Sequence, residues 1–237
     1  MTTNRLRTQH KLKLILAEAA LETVPREIWG HPAVYKHARR RGKPPSSILL
    51  DRSVHHHAMK RLPNAEKRGR PDIVHVALLE ALSSPLNKEG LLEVYIHTLN
   101  DYVIFVDPST RIPRNYNRFT GLIEQLFQEG QVPPQGKPLL WIKPMTLRRL
   151  LEEINASYVI LLAEDGENKQ VREIVAEALE NAPNAAIIVG AFPHGDFTPE
   201  TKELATRVYS IYRGNPLETW TVVSHFLALA ADMLNLI

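Results

Sequence analysis

The chain has 237 residues, 44% hydrophobic and 23% charged, with no cysteine and a formal net charge of +3. That length holds one large domain or two small ones around a substantial core, and the lack of cysteine excludes disulfides, thiolate metal sites and cysteine nucleophiles. No apolar run reaches the roughly 20 residues of a membrane span, and the N-terminal MTTNRLRTQHKLKLILAEA lacks the long apolar stretch of a secretory leader, so a cytoplasmic protein is expected.

Strand and helix signals alternate along the chain. KLKLIL reads as a strand, and AEAALETVPREI as a helix that Pro25 interrupts. HPAVYKHARRRGKPP reads as a short basic helix stopped by Gly42 and Pro44, SILLD as a buried strand, and VHHHAMKRL as a turn or two of helix. RPDIVHVALLEALSS is a helix with Pro71 in its first turn. LLEVYIHT and YVIFVD flank Asn100-Asp101 as the arms of a hairpin. NRFTGLIEQLFQE is an amphipathic helix and VPPQGKP a loop. From LLWIK onward the order is strand, helix (TLRRLLEEI), strand (YVILLAED), helix (VREIVAEALE) and strand (AAIIVG). The loop AFPHGDFTPE, a short helix, the strand RVYSIY, the loop RGNPLE and a long last helix, TWTVVSHFLALAADML, complete it. Continuous apolar strands such as AAIIVG are those of a largely parallel sheet covered on both faces, so one α/β domain over residues 1–237 is expected.

The charge is unevenly placed. Residues 1–75 carry 16 Lys and Arg against 6 Asp and Glu, whereas the rest carries 13 against 20. A basic portion on an acidic protein is either a polyanion-facing surface or a solvated face with counter-charges nearby. RIPRNYNRF, with Arg111, Arg114 and Arg118 among two aromatics, extends the basic set into the acidic part. In EKRGRPDI, Lys67, Arg68 and Arg70 precede a helix start whose first turn holds Asp72, an acid that serves the helix terminus and a salt bridge, or orients an RNA-binding Arg70, or accepts a proton.

His55, His56 and His57 are adjacent, a spacing that cannot aim three rings at one metal; no metal site is assigned, and a polar interface or phosphate contact is expected. VGAFPHGDF, with Gly190 and Gly195, and YSIYRGNPLETW each follow a strand with a small-residue loop, where the strand ends of α/β sheets hold ligands. Neither is a G-x-G-x-x-G nor a lysine-bearing phosphate loop. No hydrolase triad emerges.

Together LLDRSVHHHAMK, RGRPDIVHVALLEALSSPLNKEGLLEVYIHT, RIPRNYNRFTGLIEQLF, VGAFPHGDF and YSIYRGNPL resemble the ribosome-biogenesis pseudouridine methyltransferases of small-subunit rRNA, a family of the SPOUT (trefoil-knot) class, and its archaeal members most. The resemblance spans nearly the whole chain. It implies a SPOUT-type largely parallel sheet flanked by helices, with a C-terminal deep knot formed by residues of about 155–237 and a β-rich insertion around residues 90–115. It implies S-adenosylmethionine as cofactor, held by Leu162 at the end of YVILL, by Gly190 and Gly195, and by Ile211, Tyr212, Arg213, Gly214, Asn215, Pro216 and Leu217. The RNA-contacting arginines carry over onto Arg70, Arg111, Arg114 and Arg118, and Asp72 with Arg70 onto the catalytic pair. Pro193 and His194 take no catalytic role; Tyr116 and Phe119 are the nearby candidates for base stacking, with Phe119 reading more as core.

The activity so implied is methylation of N1 of a pseudouridine in an rRNA loop, within small-subunit biogenesis. Implied partners are that loop, a second copy through the knot helices, and ribosomal proteins. A non-catalytic rRNA-binding assembly factor, or a SPOUT methyltransferase of tRNA, fits the same basic asymmetry.

Overall fold

A computed structural model describes residues 11–237; MTTNRLRTQH, on which the reading of the N-terminus rests in part, lies outside the described residues. Eight strands form a single sheet in the order β4-β5-β3-β2-β1-β7-β6-β8. The strands are β1 (Leu12–Ala19), β2 (Leu92–Thr98), β3 (Tyr102–Val106), β4 (Gln131–Val132), β5 (Leu140–Pro144), β6 (Tyr158–Asn168), β7 (Ala185–Gly190) and β8 (Arg207–Ser210). The run β2-β1-β7-β6-β8 is parallel throughout, and β3, β5 and β4 extend it by antiparallel pairing. The β-rich stretch around residues 90–115 thus supplies β2 and β3 to the same sheet, through a turn in which Asp101 is left-handed.

Helices α1 (Pro32–Arg41), α2 (Arg52–Met59), α3 (Pro71–Ser83), α4 (Pro85–Lys88), α5 (Tyr116–Glu129), α6 (Leu147–Glu153), α7 (Val171–Glu180), α8 (Pro199–Glu203) and α9 (Thr219–Met233) cover it. On one face α3, α5, α7 and α9 bury the largest core, with Phe119 and Phe226 inside it; Phe119 is therefore packing, not a stacking platform. The other face carries a smaller core around Ile15, Phe105, Leu150 and Ile188. A third cluster, with Val34, Ala38, Leu50 and Met59, roots α1 and α2. No helix of the described residues is long and apolar enough to cross a membrane.

Two expected elements differ. AEAALETVPREI is not helical: β1 runs on to Ala19, because the small side chains of Ala17, Ala19 and Ala20 are fully buried where β1 is sandwiched between β2 and β7. Only Arg26–Ile28, after Pro25, makes a single 3-10 turn. SILLD is buried but is no strand. Its one ladder contact is an isolated bridge from Leu49 to Thr23, since a 3-10 turn precedes it and Asp51 already caps α2 through Ser53 N–H at 2.8 Å.

The C-terminal third is wound on itself. Tyr209 of β8 is in register with both Leu162 and Glu167 of β6, so residues 163–166 are thrown out between the two registrations. Gly166 closes that excursion against β8, where a Cβ would stand 2.6 Å from the carbonyl carbon of Tyr209.

Candidate cofactor cavity and RNA-facing surface

At the C-terminal ends of the parallel strands lies a cavity of about 930 Å³. Its walls come from the end of β6 (Leu162–Asp165), the β7 end and following loop (Val189–Phe197 without Ala191), the Tyr209–Leu217 segment after β8, and the first turn of α9. The two small-residue loops picked out in the sequence therefore line one cavity. Of the ten residues expected there, Leu162, Gly190, Gly195, Ile211, Tyr212, Asn215, Pro216 and Leu217 line it. Arg213 and Gly214 do not; they form the left-handed turn (φ 54° and 76°) that carries the chain past it.

Gly190 sits in a tight place, where a Cβ would lie 3.0 Å from the Phe192 ring and 3.1 Å from that of Phe197, so a side chain there would push the wall outward. Its carbonyl accepts the Thr219 hydroxyl at 2.6 Å, which pins the start of α9 to the end of β7.

The polar lining indicates what fits. Four carboxylates, Glu164, Asp165, Asp196 and Glu218, face or rim the cavity, and no Lys or Arg of the described residues lines it. Lys202 on α8 pairs with both Asp165 and Asp196 at 2.5 Å from outside the lining. A phosphate-bearing nucleotide would meet unfavourable charge here. A ligand with an apolar purine, ribose hydroxyls and positive sulfonium and ammonium groups meets complementary walls, and S-adenosylmethionine has that make-up.

Sequence reasoning missed what holds the Phe192–Phe197 wall. Glu18, at the end of β1, is in a left-handed conformation (φ 49°) and 3% exposed. It accepts the backbone N–H of Thr198 at 2.8 Å and the Thr198 hydroxyl at 2.9 Å, and forms a buried ion pair with Lys67. Lys67 also donates to the Asp196 carbonyl, lies 4.2 Å from the Phe192 ring centre, and packs its stem under Gly195, where a Cβ would come within 3.3 Å of it. Burial alone would raise the Glu18 pKa, but hydrogen bonds from Lys67 and Thr198 bring it below the ordinary value. A positive φ at a glutamate is the sort of backbone outlier that marks a functional site, and one-dimensional pattern does not reveal it.

The second half of the site is cationic. Arg70 immediately precedes α3, and its backbone N–H donates to Ala20 O at 3.3 Å, while Ala20 N–H donates to Ala191 O at 2.8 Å. The arginine thus stands two hydrogen bonds from the cavity strand β7. Its Nε and Nη2 donate to both oxygens of Asp72 at 2.8 and 2.7 Å, a bidentate pair that leaves Nη1 without a hydrogen-bond partner among the described residues. The hydrogen bond to Asp72 raises the Arg70 pKa, and the charge of Glu218 on the cavity rim adds to it.

The loop of Arg111 and Arg114 is tied to the same helix: His75, on α3, donates from Nε2 to Pro113 O at 2.7 Å and stacks on Phe119 at 4.4 Å. Tyr116 donates to Asp51 Oδ2 at 2.6 Å; burial, and then that bond, push its pKa upward. Arg111, Arg114 and Arg118 are exposed, with no ion pair among the described residues. By contrast Lys67 and Arg68 turn inward. Arg68 forms a bidentate pair with the buried Glu22 at 2.7 and 2.6 Å.

The adjacent histidines divide as their spacing requires. His55 is fully buried, while His56 and His57 are exposed. His55 Nδ1 accepts Asp51 N–H at 3.0 Å, so its Nε2 carries the proton and donates to His37 Nδ1 at 3.0 Å. No group of three or more His, Asp or Glu among the described residues is arranged as a metal site.

Comparison with known proteins agrees with this geometry. The family profile described as EMG1/NEP1 methyltransferase matches residues 14–230. Over 227 residues, 95% of this chain and 97% of the relative, it is 55% identical to the ribosomal RNA small subunit methyltransferase Nep1 of Staphylothermus marinus. It is 51% identical to the protein of that name from Thermococcus kodakarensis, covering 91% of this chain and 96% of the relative. The crystal structure of Archaeoglobus fulgidus Nep1 bound to S-adenosylhomocysteine superposes with a TM-score of 0.83 at 40% identity, covering 95% of this chain and 99% of that one.

Proposed function

Because the chain belongs to the EMG1/NEP1 methyltransferase family, we propose that it is an S-adenosylmethionine-dependent methyltransferase of small-subunit rRNA, and that it acts on N1 of a pseudouridine. The observation that carries this reading is the junction of two unlike surfaces. A cavity rimmed by carboxylates, with no Lys or Arg of the described residues in its lining, adjoins an arginine whose Nε and Nη2 are held by Asp72 and whose charge is felt by Glu218 on the cavity rim. The space of about 930 Å³ and its charge suit S-adenosylmethionine, the methylated form of the S-adenosylhomocysteine bound in the solved relative.

S-adenosylmethionine, when bound, supplies an electrophilic methyl group. Leu162, Gly190, Gly195, Ile211, Tyr212, Asn215, Pro216 and Leu217 would hold it, with Arg213 and Gly214 shaping the turn behind them. Residues of about 155–237 are then the cofactor-binding part of one domain and would form the knot, a reading supported by the excursion of residues 163–166 between the two registrations of β8 on β6.

Pseudouridine is joined to its ribose through carbon, which leaves N1 with a proton that passes to solvent, directly or through the Asp72 carboxylate, as N1 attacks. Arg70, with Nη1 free, stabilises negative charge growing on the adjacent carbonyl oxygens. Asp72 fixes the guanidinium plane, and alignment of N1 is worth about 7–11 kcal/mol at the upper end for well-oriented reactants. Arg111, Arg114 and Arg118 hold the phosphates and splayed bases of the loop. Exposed Tyr212 (54%) and Leu217 (38%) at the cavity rim would be covered by a second copy docked through the knot helices. Cytoplasmic location and contact with ribosomal proteins belong to the same reading.

The test is transfer of labelled methyl to two otherwise identical RNA hairpins, one with pseudouridine and one with uridine in the loop. Product only from the first supports the reading; product from neither, with S-adenosylhomocysteine still bound, leaves an assembly factor; a tRNA substrate methylated in preference leaves the tRNA enzyme. Asp72→Asn should lower kcat by about 10² with the fold intact; unchanged turnover and RNA affinity would remove Asp72 and the orientation of Arg70 from the mechanism.

A further inference from the structure

Residues 28–50 contain no acidic residue, yet hold Lys36, Arg39, Arg40, Arg41 and Lys43. α1 sits inside this stretch, and its cations are used in two different ways. Arg41 and Lys43 each donate to Oε2 of the buried Glu124 at 2.7 Å, joining the end of α1 to α5. Val34 and Ala38 face the core. On the opposite face, Tyr35, Lys36, Arg39 and Arg40 are exposed, Tyr35 at 60%, and none of the three cations has a hydrogen bond or ion pair among the described residues. Steps of three and four residues align these four side chains as one strip along the helix.

We propose that this strip of α1 is a second RNA contact, docking the phosphate backbone of the rRNA that flanks the methylated loop. The proposal rests on the rRNA reading above. A cation or two in the last turn would be explained by the helix dipole, but Lys36 lies before that turn and Tyr35 gains nothing from the dipole. A merely solvated face mixes both signs of charge; this one has a single sign, with an aromatic ring among the cations, the combination that favours nucleic-acid backbone and bases.

Its placement is fixed relative to the arginine loop. The chain of contacts His37–His55–Asp51–Tyr116 runs from α1 to the first residue of α5, next to Arg114 and Arg118. Along α5, Glu124 lies six residues beyond Arg118, about 9 Å of helical rise. An RNA whose loop is held by Arg70, Arg111, Arg114 and Arg118 therefore needs only a short continuation to reach α1. That continuity favours RNA over an acidic protein as the occupant.

The experiment uses the full chain and two RNAs, the target loop on a minimal stem and the same loop with its stem and flanking strands extended. Lys36→Gln/Arg39→Gln/Arg40→Gln removes no internal contact and is checked for an unchanged melting temperature; Arg114→Ala is the reference. The triple variant should bind the extended RNA about tenfold to a hundredfold more weakly, with a slope of log affinity against log salt reduced by about 2 to 3. Its affinity for the minimal hairpin and its kcat on it should stay within about twofold, since a lost phosphate contact acts only where there is phosphate to reach. If the triple variant binds both RNAs like the parent while Arg114→Ala weakens both, the α1 contact is wrong and the rRNA reading stands. If the parent binds neither RNA, the rRNA reading falls and this proposal with it. Cross-links from Lys36 that run to a ribosomal protein and not to RNA would also overturn it.

Discussion

Replacing Lys67 by Met tests the clamp beneath the cavity. The substitution keeps the stem that packs under Gly195 and removes the charge that meets Glu18 and the Asp196 carbonyl. Glu18 is 3% exposed, so its carboxylate would be left in the interior with neutral threonine donors, Thr198 and Thr201, and no counter-charge. Breaking one side of a buried pair typically costs about 3–5 kcal/mol. Lys67→Met should therefore lower the unfolding free energy by that amount and weaken S-adenosylhomocysteine binding, because the same pair holds the wall from Phe192 to Thr198. Glu18→Gln/Lys67→Met, whose amide still accepts from Thr198, should recover most of the stability.

The pH dependence has a definite sign. In the parent the folded Glu18 pKa is below the ordinary 4.5, so its contribution is present above that pH and lost as pH falls through the folded value. Without Lys67, burial acts unopposed by that charge and raises the folded pKa, and the rise of stability with pH below about 5 flattens or reverses. Urea denaturation from pH 3 to 7, with calorimetric titration of S-adenosylhomocysteine, reads both effects. A loss under about 1 kcal/mol with an unchanged pH slope would refute the clamp.

The other predictions address the wound segment, the buried histidine and the arginine loop. Gly166→Ala places a methyl 2.6 Å from the Tyr209 backbone, which should cost about 3 kcal/mol in unfolding free energy and reduce S-adenosylhomocysteine affinity; a change within about 0.5 kcal/mol would mean that the excursion is not held against β8. His55 is lowered from 6.5 to about 4, chiefly by burial and then by His37. The unfolded chain therefore takes up a proton that the folded one refuses, and stability should fall as pH drops from about 6.5 towards 4, a dependence that His55→Asn flattens; an identical profile in that variant would place the titration elsewhere. Arg111→Ala, Arg114→Ala and Arg118→Ala should each flatten the salt slope of RNA binding by about one, and three unchanged slopes would withdraw that surface.

Period and punctuation made most of the architecture legible. AAIIVG, YVILL and LKLIL read as strands covered on both faces, and they are three adjacent parallel strands of the sheet. Asn100-Asp101 marked its hairpin, and Pro71 the start of α3. The errors came where tertiary context outweighed local preference. Ala17–Ala20 look helical in isolation, yet small side chains are what the crowded middle of this sheet needs. Of the site, the two loops could be seen to share a cavity because each follows a parallel strand. The partners of individual cations could not. Lys67, Arg68 and Arg70 are equivalent on paper, and the fold sends the first two inward to Glu18 and Glu22 and keeps the third at the surface with Asp72.

Under the proposed function, that division lets one short segment serve both ligands. Lys67 grips the cavity wall from below, Arg68 locks the segment to Glu22 after β1, and Arg70, three residues from Lys67, stays at the surface on Asp72 within the electrostatic reach of Glu218. Gly69 makes the reversal possible. It is left-handed (φ 71°), and a Cβ there would come within 2.7 Å of the Met59 methyl group. A shift of the segment when RNA engages Arg70 is thereby transmitted to the wall under Gly195 through covalent geometry and a buried ion pair, without any longer path. Cofactor and RNA should consequently bind with mutual dependence, and linkage requires the factor to be the same in both directions. In Lys67→Met that factor should shrink towards one even where each ligand still binds. If S-adenosylhomocysteine changes RNA affinity equally in parent and variant, the two sites are neighbours and nothing more.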